Sequence, residues 1–333
     1  MAIKTKVGID LGTDSVLVYV DGKGVVLKEP SLVAYDRSLD LVRGIGEEAL
    51  MLLGRGEANL IDLHPVKRGI IADYRMAEER VRYFVIKAIG RRSVIKPQVA
   101  LSVPSGATQV EMRAALEAGY SVGARDVMLV EEPLAAALGA GIDAGRPTGS
   151  IVVDIGAGKT DVGVVSLGYP VIARRIRVAG DDFTQAIVDY MRTTHDVVIS
   201  DSQAEEIKIR IGTVYPLASD LTMEITARSV QDGMPCDREI SSEEIRKALA
   251  PLSAQIVEVV QSVLEQTPPE LCADILNRGI ILTGGGSQMR GMEKLLESKT
   301  RIRTMTASDP VSALAQGIGK VLQRGRSGYL LKS

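Results

Sequence analysis

The sequence predicts an α/β protein of two related lobes, and three observations carry that expectation. The first is a repeated segment. Val7-Gly-Ile-Asp-Leu-Gly-Thr13 and Ile151-Val-Val-Asp-Ile-Gly-Ala-Gly-Lys-Thr160 are each an apolar strand that delivers an Asp into a Gly-rich turn, with further apolar runs at Leu17 to Val20 and Val162 to Val165. Two such hairpins, one in each half of the chain, suit tips that face each other across a phosphate: glycine lets backbone N–H groups approach an anion, and a nearby Asp holds the hydration shell of a magnesium ion. The second observation is that strands and helices alternate in both halves. The third is size: 333 residues exceed what one core usually supports, and 45% apolar content is enough to build two.

In chain order, the first hairpin leads into strand-like runs at Gly24 to Leu27 and Ser31 to Ala34, then a Gly-rich, charged stretch to Arg75 that reads as a small insert. A helix is expected over 77–89, a turn over 91–96, and a strand from Gln98 to Val103 stopped by Pro104-Ser-Gly106. A helix over 109–122 and a buried strand over 126–130 follow, and Glu131-Glu132-Pro133 opens an Ala-rich helix, since the N–H that proline lacks is not needed at a helix start. The second half repeats the scheme. After its hairpin come a second strand pair, Gly180-Asp181-Asp182 with a helix over 183–192, and an insert to Ile240 containing a helix over 202–211 and strands turning at Asp232-Gly233. Ser241 and Glu244 form a capping box for a long helix carrying Ile245, Leu249, Leu252, Ile256, Val260 and Leu264 on one side. A strand over 280–282 ends in Gly284-Gly285-Gly286, and the last helix spans 311–323.

A net charge of -2 gives no nucleic-acid footprint; the one dense basic run is Arg91-Arg92 with Lys87 and Lys96 near it. Cys236, Cys272, His64 and His195 show no metal-ligand spacing, which points to a reducing compartment and no zinc site. No apolar stretch approaches ~18 residues and the start has no leader pattern, so the expected location is cytoplasmic, with any membrane contact peripheral.

The ordered set Asp-Leu-Gly-Thr, Glu-Glu-Pro, Asp-x-Gly-x-Gly and Thr-Gly-Gly-Gly resembles the superfamily of actin, sugar kinases and heat-shock-chaperone ATPases. Within it, Glu29-Pro-Ser31, Gly69-Ile-Ile-Ala-Asp73, Val103-Pro-Ser-Gly106, Ala204-Glu-Glu-Ile-Lys-Ile209, Thr267-Pro-Pro-Glu270 and Arg278-Gly-Ile280 resemble the MreB family of bacterial actin homologues along nearly the whole chain. The resemblance implies an actin-like fold in four subdomains: IA over 1–32, 77–147 and 312–333, IB over 33–76, IIA over 148–181 and 241–311, and IIB over 182–240.

It also implies roles. Gly12, Thr13, Asp14 and Ser15 would form the first phosphate turn, and Gly156, Ala157, Gly158 and Lys159 the opposing clamp beside Gly180, with ATP or ADP between them. Asp10 and Asp154 would hold Mg2+ through water. Glu132, with Asp154 and Asp161, would form the catalytic group, Glu132 orienting the attacking water, since positioning and charge neutralisation are most of what phosphoryl transfer asks of a protein. Glu205 and Lys208 would meet the adenosine, and Gly284, Gly285, Gly286 and Gln288 would lie against its base. Read without the resemblance, Glu132 is an exposed helix-start carboxylate and Glu205 with Lys208 a surface ion pair.

The chain departs from the family pattern in both turns. The second usually reads Asp-x-Gly-Gly-Gly-Thr-Thr-Glu, whereas here Ala157 adds a methyl where backbone closeness or positive φ is expected to matter, and Lys159 adds a cation beside the expected γ-phosphate. In the first, Asp14-Ser15 stands for the common Ala-Asn. These changes mark a divergent paralogue; the resemblance implies a slow ATPase, whose rate they leave open, and Asp14 is expected to pair with Lys159 across the cleft when the γ-phosphate is absent, the residues alone fitting equally well two side chains that point to solvent.

The family's function is assembly: head-to-tail filaments with ATP, commonly antiparallel protofilament pairs, bound to the inner face of the cytoplasmic membrane, where membrane proteins of wall synthesis are partners in setting cell shape. Val94-Ile95, flanked by cations, lie where the resemblance puts a membrane-inserting loop; the residues alone also fit a solvated turn with two core-facing side chains. A chaperone would carry a peptide-binding domain beyond the ATPase, and a sugar kinase a substrate-binding Asp. A chaperone or reactivating ATPase is the alternative, as are filaments for plasmid segregation or organelle positioning.

Overall fold

The computed structural model describes residues 5–56, 59–63, 66–67, 70–71, 74–90 and 96–325. The first half runs β1 (Lys6–Leu11), β2 (Ser15–Val20), β3 (Gly24–Pro30), β4 (Val33–Asp36), β5 (Leu41–Ile45), α1 (Glu47–Gly54), β6 (Leu60–Leu63), β7 (Val66–Lys67), β8 (Ile70–Ile71), α2 (Tyr74–Ile89), β9 (Gln98–Val103), α3 (Gln109–Ser121), β10 (Asp126–Glu131) and α4 (Glu132–Gly139). The second runs β11 (Ser150–Ile155), β12 (Thr160–Ser166), β13 (Tyr169–Ile176), α5 (Gly180–Thr194), β14 (Val197–Val198), α6 (Asp201–Arg210), β15 (Thr222–Ser229), β16 (Pro235–Ser241), α7 (Ser242–Gln266), α8 (Pro269–Arg278), β17 (Ile280–Thr283), α9 (Met292–Thr300), β18 (Thr304–Thr306) and α10 (Ala313–Arg324).

Two five-stranded sheets repeat one design. The first has the order β10-β9-β1-β2-β3 and the second β13-β12-β11-β17-β18. In each, an antiparallel hairpin with a short glycine-containing tip, β1/β2 or β11/β12, joins strands that run parallel to its first member. Strands buried on both faces are apolar through their middles, as β11 and β12 are over 151–153 and 162–165; every residue of both is buried, including Asp154 and Asp161 toward the hairpin tip. Small sheets, β5-β4-β6 and β14-β15-β16, extend the two halves. In β15 buried and exposed residues alternate strictly, the pattern of a sheet with one wet face.

Capping chemistry fixes helix starts where the sequence announces them. The Ser241 hydroxyl accepts from the Glu244 backbone N–H at 3.3 Å, and the Glu244 carboxylate accepts from the Ser241 backbone N–H at 2.9 Å. Thr108 and Glu111 cap α3 in the same way. Among the described residues the core forms three clusters: one on each large sheet, and a third between them, built on Leu134 to Leu138 of α4 and Leu314, Ile318, Val321 and Leu322 of α10 and reaching Val130 on one sheet and Val152 and Val165 on the other. This third cluster joins the halves and sets the attitude of the two hairpins. No helix among the described residues is long and apolar enough to cross a membrane.

Candidate functional site

The two hairpin tips line one cleft of about 960 Å³ between the large sheets. The first tip, Gly12 to Ser15, is held by pairing of Leu11 with Val16. The second, Gly156 to Lys159, is closed by the Gly156 N–H donating to the Lys159 carbonyl at 3.0 Å. The start of α5 docks on this second tip: Gly180 N–H donates to the Gly156 carbonyl at 3.1 Å and Asp181 N–H to the Ala157 carbonyl at 2.8 Å. Ala157 is not among the described non-glycine residues with positive φ, so of the two reasons for glycine in the family pattern a left-handed backbone does not apply here.

Carboxylates form the cleft floor. Asp10, near the end of β1, accepts from the Ser102 hydroxyl at 3.1 Å; withdrawal from water, with Asp154 facing it, raises its carboxyl to about pKa 6. Asp154 on β11 accepts from the Thr283 hydroxyl at 2.7 Å and is likewise raised by burial. Among the described residues no group of three or more His, Cys, Asp or Glu is arranged to hold a metal ion directly. Two facing oxygen donors suit a hydrated divalent cation held through water, whose charge would relieve their mutual repulsion.

Glu132 opens α4 and is only 7% exposed, not the solvent-facing helix-start residue that local reading allows. Burial pushes its carboxyl up to about 8, with Lys159 pulling the other way and Asp161 and Asp10 adding to the rise. Its partner is Lys159, which forms ion pairs with Glu132 and, at 2.8 Å, with Asp161. Burial opposes the lysine's charge, but the two carboxylates hold the ammonium above the ordinary lysine range.

Two expectations are corrected here. Lys159 turns to the carboxylates of its own half and of α4, not across the cleft to Asp14; Asp14 is exposed, and its charge acts on Asp181, whose carboxyl is raised by burial and then by Asp14. Asp161 does not line the cleft. It is 1% exposed behind Lys159, accepting from the Ser105 backbone N–H at 3.2 Å and from the Ser105 hydroxyl, so it acts on the cleft by holding the lysine and through its charge on Glu132 and Asp154.

At the other end of the cleft, α6 begins at Ser200, whose hydroxyl accepts from Gln203 N–H, and presents Glu205 and Lys208 three apart. They pair at 2.5 Å, and Lys208 also donates to the Gly180 carbonyl at 3.0 Å and the Thr184 hydroxyl at 2.9 Å, tying α6 to α5. The Gly284 to Gly286 turn and Gln288 complete the wall. Gly284 has φ +80° and a Cβ there would stand 2.3 Å from the Ile155 carbonyl oxygen, so only glycine lets this turn close on the second hairpin. Val94 and Ile95 lie outside the described residues. Ser102 and Thr184 carry no local sequence signal, while Ser105 and Thr283 stand inside the Val103-Pro-Ser-Gly106 and Thr-Gly-Gly-Gly motifs without their role being legible; these hydroxyls orient the site carboxylates or, at Thr184, the Glu205–Lys208 pair.

Twin sheets, twin hairpins and a carboxylate-floored cleft between them define an actin-like fold. A family profile described as MreB/Mbl protein matches residues 4–328. The chain is 42% identical over 317 residues to the cell shape-determining protein Mbl of Bacillus cereus, covering 95% of each chain. It is 43% identical over 321 residues to the cell shape-determining protein MreB of Escherichia coli, covering 95% of this chain and 92% of that one. Among solved structures, MreB5 of Spiroplasma citri bound to ADP superposes with a TM-score of 0.89 at 34% identity, covering 97% of each chain. A MamK double helical filament shares the fold, with a TM-score of 0.82 at 21% identity over 96% of this chain and 99% of that one. The chain belongs to the MreB/Mbl family.

Proposed function

We propose that this protein is an ATP-dependent cytoskeletal filament former that lies at the inner face of the cytoplasmic membrane and sets cell shape by organising wall synthesis. The observation that carries the reading is the pair of hairpin tips facing one cleft over Asp10 and Asp154, in a chain whose relatives are named cell shape-determining proteins and whose structural neighbour MreB5 is described bound to ADP and to AMPPNP. In this reading the four-subdomain division drawn from the sequence holds, the tips cradle the phosphates with backbone N–H groups, and Lys208, Glu205 and the Gly284 turn receive the nucleoside. Mg2+, when bound, neutralises phosphate charge. Asp10 and Asp154 orient its water shell, and Glu132 faces the water that attacks the terminal phosphate in a slow hydrolysis.

Nucleotide that bridges both halves biases them toward one relative attitude, and a filament subunit needs a fixed attitude to repeat. Purified protein is therefore expected to sediment with ATP and lipid and to show filaments by electron microscopy. Monomers at micromolar concentration, with ATP demonstrably bound, would overturn the filament reading. The membrane part of the proposal has a separate test. Val94→Ser with Ile95→Ser should lower co-sedimentation with anionic liposomes while leaving thermal stability unchanged, because side chains that insert into lipid contribute little to the fold. A large loss of stability would identify the two residues as core instead.

A further inference from the structure

We propose that Lys159 is a built-in restraint on ATP hydrolysis: its ammonium ties Glu132 to Asp161, so the chain holds nucleotide with its water-orienting carboxylate already occupied. This rests on the nucleotide reading above. An ammonium has three donors, and two of them are committed to buried carboxylates: Glu132 Oε2 and, at 2.8 Å, Asp161 Oδ2. The other oxygen of Asp161 is taken by Ser105, through its backbone N–H and its hydroxyl. Both oxygens of Asp161 are thus engaged and the side chain is fixed within β12, and it fixes Lys159 in turn.

Lys159 has two possible uses in such a site. It can swing to a terminal phosphate and stabilise charge there, or stay and quench Glu132. The burial of its partners decides between them. A swing would strand Asp161, 1% exposed, and Glu132, 7% exposed, without their cation, and breaking a buried ion pair on one side is far more costly than forgoing one more contact to an anion in an open, hydrated cleft. Lys159 therefore stays. A carboxylate in contact with an ammonium has surrendered both the charge and a lone pair that would draw a proton from water, which weakens it as an orienting group. Lys159 never touches the reacting atoms in this scheme; it is a positioning residue acting through Glu132.

The test is phosphate release by the full chain at saturating MgATP from about pH 6.5 to about pH 10, with binding followed separately by a fluorescent ATP analogue. Lys159→Thr should raise the plateau rate about tenfold or more. It should also move the midpoint of the pH profile upward, because Glu132 loses its cationic neighbour and ionises later; comparison at the plateau removes that shift from the rate. In the Lys159→Thr background, Glu132→Gln should abolish the gain, and its fold-loss there should exceed its fold-loss in the parent, where Lys159 already restrains Glu132. Lys159→Gln, which keeps a donor to Asp161 without the charge, should move in the same direction and serves if the Thr variant does not fold. A plateau rate that is unchanged or lower with ATP bound would overturn the restraint. Failure of the parent chain to bind ATP would instead overturn the nucleotide reading on which it rests.

Discussion

Gly317→Val is expected to unfold the protein, or to lower its stability by ~4 kcal/mol or more. α4 and α10 cross backbone against backbone. A Cβ at Gly317 would stand 1.7 Å from the Ala135 carbonyl oxygen, and one at Gly139 would stand 1.6 Å from that of Ala313. The contacts are reciprocal: each helix offers a glycine to an alanine four residues from the other helix's glycine. Ordinary overpacking of a core costs about 1–3 kcal/mol because side chains can change rotamer. Here the obstacle is a carbonyl inside a helix, which has no rotamer to change, so the helices must separate and open the cluster that joins the two halves. Since α4 carries Glu132 at its first turn, separation would also displace the cleft floor. Urea titration followed by circular dichroism measures the loss. Gly285→Ala is the control: its Cβ would meet nothing within 4 Å, and its stability should stay within about 0.5 kcal/mol of the parent. A Gly317→Val protein as stable as that control would mean that the helix crossing is looser than it stands here.

What the sequence made legible was local and repeated. Each Asp-Gly turn sits between two apolar runs within twenty residues of chain, so the hairpins, their tips and the two-lobed plan could be read directly. Ser241 with Glu244, and Pro104 after β9, announced boundaries by the same local chemistry. α9 is not legible in the sequence because its N-cap is Gly291 in the left-handed region, a start with no side-chain signal. α8 did carry signals, Pro268-Pro269 before it and Gly279 after it, that pattern reading left unused. The pairing of Lys159 was misread for a different reason. Its partners Glu132 and Asp161 are brought to it by α4 and by β12, whereas a pairing with Asp14 follows only if the side chains of the two turns point at each other. Placement of one element on another is a tertiary fact that spacing along the chain does not encode.

Glu132→Gln is expected to stabilise the fold at alkaline pH, the reverse of what removing a paired charge usually does. A carboxyl raised from 4.5 in the unfolded chain to about 8 in the folded one binds its proton more tightly when folded. Its contribution to stability is therefore fully present below pH 4.5 and is lost as pH rises through about 8. Asp10, raised to about 6, adds a loss in the window from 3.8 to about 6. Lys159 and Asp161 work the other way: the raised ammonium and the lowered carboxyl favour the folded state across neutral pH. The parent should accordingly weaken between pH 5 and pH 9, by an amount on the order of 3 kcal/mol from Glu132 alone. The glutamine has no proton to lose and still offers Lys159 a carbonyl acceptor. Urea midpoints should coincide for parent and variant near pH 5, and the variant should stand higher near pH 9. A variant less stable than the parent at pH 9 would mean that the ion pair to Lys159 outweighs the burial of Glu132. The expected sign has a functional reading: a buried carboxyl raised toward neutrality weakens its own fold as pH rises, a cost that a neutral isostere would not carry, and a carboxyl poised near the working pH in a cleft suits a group that orients or exchanges a proton with water.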